Sequence, residues 1–125
     1  MYDLLAPRAY LDCLKRGVEL VPPNAKLIFD AGCGSGLLLN YLQGLLKSGC
    51  RYIGTDKIWS GVSASASKVE YAGKSGIIIQ SDLLNGLALK ENSVDLIFAC
   101  FLVYTIADSQ KRNRLMRNLR HILKP

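Results

Sequence analysis

The chain contains no run of about 18 consecutive apolar residues, the length at which a membrane span is read. Asp3, Arg8, Asp12, Lys15, Arg16 and Glu19 break up its first twenty residues, so these are not expected to form a secretory leader or a membrane anchor. A soluble, cytoplasmic protein with no membrane partner is the expectation. Cysteine is sparse, and Cys13, Cys33, Cys50 and Cys100 have neither CxxC spacing nor the density of a secreted disulfide scaffold. Reduced, mostly buried thiols are expected, and no metal site. Acids are missing from Lys111 onward, where Arg112, Arg114, Arg117, Arg120 and Lys124 follow while Leu115, Met116, Leu119, Ile122 and Leu123 share one helical face. That pattern predicts a surface helix with solvated charges, and no aromatic residue is interleaved to stack a nucleic-acid base. Sixteen basic and ten acidic side chains give a net charge of +6, which permits an anionic partner without requiring one.

With 125 residues, half of them apolar, the chain suffices for a single domain with one core. Its organising stretch is Lys26 to Gly36, KLIFDAGCGSG. Leu27, Ile28 and Phe29 form an apolar run without polar alternation, as in a parallel strand covered on both faces. Asp30 ends it, and Gly32, Gly34 and Gly36 supply a turn that tolerates positive φ and brings bare backbone close to a ligand. From Leu37 to Leu46, apolar residues at Leu38, Tyr41, Leu42, Leu45 and Leu46 mark a helix. This strand, turn and helix order sits where nucleotide ligands bind in open α/β sheets.

Arg51 to Thr55 predicts a second strand, ending in Asp56 twenty residues after Gly36. That is about the spacing at which a carboxylate meets ribose hydroxyls in the dinucleotide fingerprint. A dinucleotide turn, however, has its third glycine where this chain has Leu37, and Asp30 at the mouth would repel a pyrophosphate while suiting an ammonium group. A nicotinamide-dependent oxidoreductase is therefore the weaker alternative.

Before the turn, Tyr2 to Leu20 reads as a helix stopped by Pro22 and Pro23. After Asp56, Ile58, Val62, Ala66 and Val69 recur at helical spacing despite serines at 60, 63, 65 and 67, and Trp59 is expected to anchor that helix. Gly76 to Gln80 predicts a third strand closed by Ser81, Asp82 and Leu83. Leu84 to Asn92 reads as a loop, and Leu96 to Val103 as a long fourth strand. Asp30, Asp56 and Asp82, each after a strand of the same right-handed βα sense, are expected at one edge of the sheet, although any one of them could be a helix N-cap.

The GxGxG turn preceded by an acid, with Asp56 and Asp82 behind it, resembles motif I and its companions in the class I S-adenosylmethionine-dependent methyltransferases. The likeness runs from the first helix to His121-Ile122-Leu123-Lys124-Pro125. It implies an α/β fold: a Rossmann-like parallel sheet of about four strands flanked by helices, residues 1–125 forming the N-terminal two thirds of a seven-stranded methyltransferase domain. It also implies S-adenosyl-L-methionine as cofactor. The turn would be Asp30, Ala31, Gly32, Cys33, Gly34 and Gly36, with Asp30 serving the methionine amine. Asp56 would hold the ribose, with Lys57 and Ile58 after it. Ser81, Asp82 and Leu83 would meet adenine, and Cys100 and Phe101 would lie near the transferred methyl. A tyrosine such as Tyr2 or Tyr10 covers the cofactor in some relatives, although either could be an ordinary packing residue.

Two departures bear on chemistry. Relatives often carry histidine where this chain has Tyr104, so no catalytic base is assigned. Nor does ACFLVY match the NPPY-like tetrapeptide of amino-group methylation. The methyl acceptor is left open among small molecule, RNA and protein. The resemblance also implies a fifth strand beside the fourth. Without it, the chain is expected to self-associate through that edge, or to act as a non-catalytic cofactor-binding fragment completed by a partner.

Overall fold

The computed structural model describes residues 7–71, 76–100 and 102–125, leaving aside the side chains of Lys47, Glu70, Tyr71 and Tyr104. Strands β1 (Leu27–Ala31), β2 (Arg51–Asp56), β3 (Gly76–Gln80) and β4 (Leu96–Phe98) form a parallel sheet in the order β3-β2-β1-β4. Helices α1 (Arg8–Glu19), α2 (Leu39–Lys47), α3 (Trp59–Tyr71) and α4 (Ser109–Ile122) flank it. The fold is the Rossmann-like α/β arrangement that the sequence predicts.

β1 is central because its side chains require cover on both faces, and Ile28 and Phe29 are fully buried. Burying a side chain of this size contributes roughly 1.5–3 kcal/mol, so the pair fixes which strand lies innermost. Ile28 joins Leu14 of α1, Leu42 and Leu46 of α2 and Val69 of α3 in one cluster. Phe29 and Ala31 join Leu115, Leu119 and Ile122 of α4 in the other. Three helices therefore pack on one face of the sheet and α4 on the opposite one.

Several boundaries differ from those predicted. The first helix begins at Arg8, and Tyr2 lies outside the described residues. α2 starts at Leu39 because Leu39, Asn40 and Tyr41 donate to carbonyls three residues back, making a tight turn before the helix proper. The predicted loop opens with a single 3₁₀ turn, Leu83–Asn85. Met116 is about half exposed rather than on the buried face. Trp59 is 66% exposed, so it does not anchor α3 in the core.

The largest correction is to β4. Predicted as Leu96 to Val103, it spans three residues, paired with β1 from Ile28↔Leu96 to Asp30↔Phe98. β1 turns away after Ala31, so nothing remains for the later residues to pair with. Val103–Thr105 instead forms a 3₁₀ turn, while Leu102 and Ile106 pack toward the α4 cluster. The edge expected to be long and bare is correspondingly short. Its approach is bridged by the chain itself, since Val94 pairs in parallel with Leu123 and Lys124 N–H donates to Val94 O at 2.9 Å.

One polar pair lies inside the first cluster's face of the sheet. Tyr52 Oη donates to Asp30 Oδ2 at 2.6 Å, with both residues buried. Gly54 makes room for it, because a Cβ there would lie 2.8 Å from the Tyr52 hydroxyl. Burial pushes the Asp30 carboxyl from 3.8 up to about 7; the Tyr52 hydrogen bond opposes that shift and the nearby Asp56 charge adds to it. Between these two values the unfolded chain has released a proton that the folded protein retains, so stability falls as pH rises across the window and levels off above it. Urea unfolding of the wild type and Asp30→Asn from pH 4 to 8 checks this. The stability difference between them should shift in the variant's favour up to about pH 7 and then stay constant.

Candidate functional site

The glycine turn is built by its neighbours as much as by its own sequence. Gly32, Gly34 and Gly36 have φ values of 73°, 54° and 81°, in the left-handed region that disfavours side chains. Cys33 N–H donates to Thr55 O at 2.8 Å, and Gly34 N–H to Asp56 Oδ2 at 2.9 Å, so the turn hangs from the end of β2. Ser65 of α3, completely buried, donates to Gly34 O at 2.6 Å. A Cβ on Gly61 would meet that same carbonyl at 3.0 Å. Ser65 and Gly61, unremarkable in a helix with several serines, are thus contacts that hold α3 against the turn. No periodicity marks them, because hydrogen-bonding a loop carbonyl leaves no trace in local sequence.

The three glycines differ in what surrounds them. A Cβ on Gly36 would lie 3.0 Å from Ser65 Oγ and 3.2 Å from Leu39 Cδ1, and one on Gly32 would lie 3.1 Å from Leu102 Cδ1. At Gly34 a Cβ meets nothing within 4 Å, so backbone there faces open space.

A cavity of about 580 Å³ opens at the carboxyl ends of the strands. Of the predicted site residues, Gly32, Asp56, Lys57, Ile58, Ser81, Asp82, Leu83 and Cys100 line it. Asp30, Ala31, Cys33, Gly34 and Gly36 are not part of its wall. Asp30 was expected at the mouth beside the ammonium, yet the residue is 4% exposed and its carboxyl is turned to Tyr52, so the three strand-end acids do not converge on one surface. Ala31 is fully buried under the α4 cluster. Cys33 is buried with its Sγ 3.7 Å from Ser65 Oγ, and burial, followed by the Asp30 charge, pushes its thiol up to about 12. Phe101 lies outside the described residues, as does the Tyr104 side chain.

The two acids that do line the cavity already serve the backbone. Asp56 accepts from Gly34 N–H through Oδ2 and from Ile58 N–H through Oδ1, each at 2.9 Å. Asp82 accepts from Leu84 N–H at 3.0 Å and caps the 3₁₀ turn. Each carboxylate oxygen has a second lone pair, so capping leaves acceptor capacity for a ligand. Ile58 is 59% exposed, an apolar surface at the rim.

Sequence reasoning missed other parts of the wall. Thr55 has a buried Oγ1 with no hydrogen-bond partner among the described residues. Leu102, Ile106, Asp108 and Lys111 complete the side toward α4. Asp108 caps that helix, accepting from Gln110 and Lys111 N–H, and Arg112 Nη1 fixes the preceding loop by donating to Ile106 O and Ala107 O at 2.6 and 2.8 Å. These residues reach the cavity only because β4 ends early, an outcome of strand pairing that the apolar run LIFACFLV conceals.

No curated protein matches the chain. Among solved structures, it is similar to a SAM-dependent methyltransferase from Aquifex aeolicus, with 23% identity, a TM-score of 0.72 and coverage of 92% of this chain and 58% of that one. It is similar to a phosphoethanolamine N-methyltransferase from Haemonchus contortus, in complex with phosphoethanolamine and S-adenosylhomocysteine. There the identity is 22% and the TM-score 0.72, over 91% of this chain and 24% of the other. A putative S-adenosyl-L-methionine-dependent methyltransferase from Methanococcus maripaludis gives 20% identity and a TM-score of 0.72, over 92% and 51%. The chain thus spans little more than half the length of these proteins, or less, and such likenesses establish the fold. Sequence establishes the family: residues 28–125 match the methyltransferase domain, from the middle of β1 through the glycine turn to the last residue, and the chain belongs to that family.

Proposed function

We propose that this domain binds S-adenosyl-L-methionine and transfers its methyl group to a nucleophilic acceptor. The observation that carries the reading is the glycine turn itself, whose Gly32 lines the cavity and whose Gly34 N–H is tied to the Asp56 carboxylate on the cavity wall. The site fits this cofactor in kind. Asp56 has lone pairs for a ribose diol, Ile58 and Leu83 offer apolar cover for an adenine ring, and Asp82 supplies an acceptor for an exocyclic amine. Asp30 is turned to Tyr52 and lies off the cavity wall, so it is not assigned to the methionine ammonium. A buried Leu37 where a dinucleotide turn has glycine counts against a nicotinamide cofactor.

When bound, the sulfonium supplies an electrophilic methyl for in-line displacement. The chain's own contribution is orientation, which is worth much of the barrier in such a reaction. Cys100 takes part as wall and not as nucleophile, because burial, followed by the Asp30 charge, pushes its thiol up to about 11 and keeps it protonated at neutral pH. Among the described residues, no helix is long and apolar enough to cross a membrane. A cytoplasmic setting is part of the proposal, in keeping with four free thiols.

Titration calorimetry of the chain with S-adenosylhomocysteine and with NAD tests the reading: binding of the former and not the latter supports it, and the reverse sinks it. Asp56→Ala should weaken S-adenosylhomocysteine binding by roughly 1.5–3 kcal/mol, the range for a charged hydrogen bond. Unchanged affinity in a folded variant would remove Asp56 from the site.

The two glycines should separate in a second experiment. Gly34→Ala adds a methyl into open space, so its effect on stability is confined to the positive φ, about 1–2 kcal/mol, while the drop in ligand affinity measures how closely the cofactor approaches this turn. Gly36→Ala adds the clash with Ser65 and Leu39 and should lower the melting temperature further. Thermal unfolding with and without S-adenosylhomocysteine reads both effects.

A further inference from the structure

The exposed face of α4 carries a concentration of positive charge outside the cavity wall. On a helix of 3.6 residues per turn, Arg114, Arg117, Arg120 and His121 fall within roughly 120° of the circumference, opposite the buried Leu115, Leu119 and Ile122. Arg114, Arg117 and Arg120 are exposed. Among the described residues, Arg117 and Arg120 have no ion pair; Arg114 donates to Leu84 O at 3.2 Å, which leaves further guanidinium donors free. Glu91 lies 3.8 Å from His121 at the far end of the helix. At the near end Lys111 lines the cavity wall.

We propose that this face binds the phosphodiester backbone of a nucleic acid and holds it beside the cavity mouth. Three lines of chemistry select that partner. Arginine presents a planar fork matched to phosphate oxygens, and the face is built from arginines rather than lysines. A protein partner would need an apolar centre to the interface, and Met116, 49% exposed, stands alone at the border of the face. A membrane surface would need the apolar stripe of α4 free to insert, and that stripe is committed to the sheet. No Phe, Tyr or Trp lies within the helix, so contact is chiefly with the backbone and not through base stacking. The backbone contact stands independently of the methyl-transfer reading. Only the step that makes the bound nucleic acid the acceptor rests on it.

The test measures fluorescence anisotropy of a labelled RNA hairpin, and of a DNA duplex of the same sequence, against the full chain over a range of salt concentrations. Wild type should bind with log K falling linearly in log salt, with a slope of about −2 to −3 for three phosphate contacts. Arg117→Glu with Arg120→Glu should reduce the slope by about 2 and weaken binding tenfold or more at low salt. Both residues are exposed and lie outside the cavity wall, so the variant's circular dichroism and its S-adenosylhomocysteine titration should match wild type. Wild-type binding that is absent or independent of salt overturns the proposal, as does an unaffected double variant. Competition by polyglutamate at equal charge concentration also overturns it, in favour of an acidic protein. Loss of S-adenosylhomocysteine binding with nucleic-acid binding retained would count against the methyltransferase reading alone.

Discussion

The hydrogen bond from Gly34 N–H to the Asp56 carboxylate ties the end of one strand to the loop that leaves the next, and the site depends on it. It forms only if β1 and β2 are in register, with Ala31 opposite Thr55, because a slip of one residue would move Asp56 away from the turn. That register is held by apolar side chains buried on both faces of β1, far from any ligand. At the other end of the sheet Asp95 ties β1 to the start of β4, its Oδ2 accepting from Lys26 and Leu27 N–H at 2.9 and 2.8 Å while Lys124 reaches its Oδ1 at 3.0 Å. Packing fixes the pairing, pairing places the acid, and the acid shapes the turn.

The two faces of the sheet contribute differently. On the side of α1, α2 and α3 the demands are steric. Gly61 lets α3 approach, Ser65 bonds the Gly34 carbonyl, and Gly54 gives way to the Tyr52 hydroxyl. On the side of α4 the sheet is less completely covered, and Ile77 and Ile79 of β3 are 50% and 40% exposed. The cavity lies toward this second side, between the strand ends and the loop before α4. A turn rigidly supported from one face can thus present bare backbone while the other face is left to vary.

What the sequence disclosed follows from how far each signal extends along the chain. Ile28 and Phe29 announced a doubly covered strand, the glycines announced the turn, and the acid after each early strand was visible as punctuation. All of these are local. The fate of Asp30 was not, because its buried position depends on Tyr52, 22 residues away, and on the absence of a side chain at Gly54. Ser65 is likewise explained only by a carbonyl 31 residues earlier. β4 was overestimated because an apolar run reports burial and not pairing: Leu102 and Ile106 pack in the α4 cluster without a ladder. Trp59 misled in the opposite way, since its size suggested an anchor and its position at the start of α3 leaves it in solvent.

The capping bonds of Asp56 also bear on how a ligand would enter. A carboxylate held by two N–H groups at 2.9 Å loses little freedom when a third and fourth donor arrive, since each oxygen keeps a lone pair. A ribose diol would add to this arrangement without displacing it, so the ordering cost that erodes affinity at flexible sites is largely met in the folding of the domain. Thr55 stands in contrast on the same strand, its buried hydroxyl having no hydrogen-bond partner among the described residues. On the side of the cavity toward Leu102 and Ile106, Asp108 is held in a similar way, accepting from Gln110 and Lys111 N–H. Preorganised acceptors thus stand on both walls, and the apolar side chains of Leu102 and Ile106 are where a ligand's shape would be read by packing.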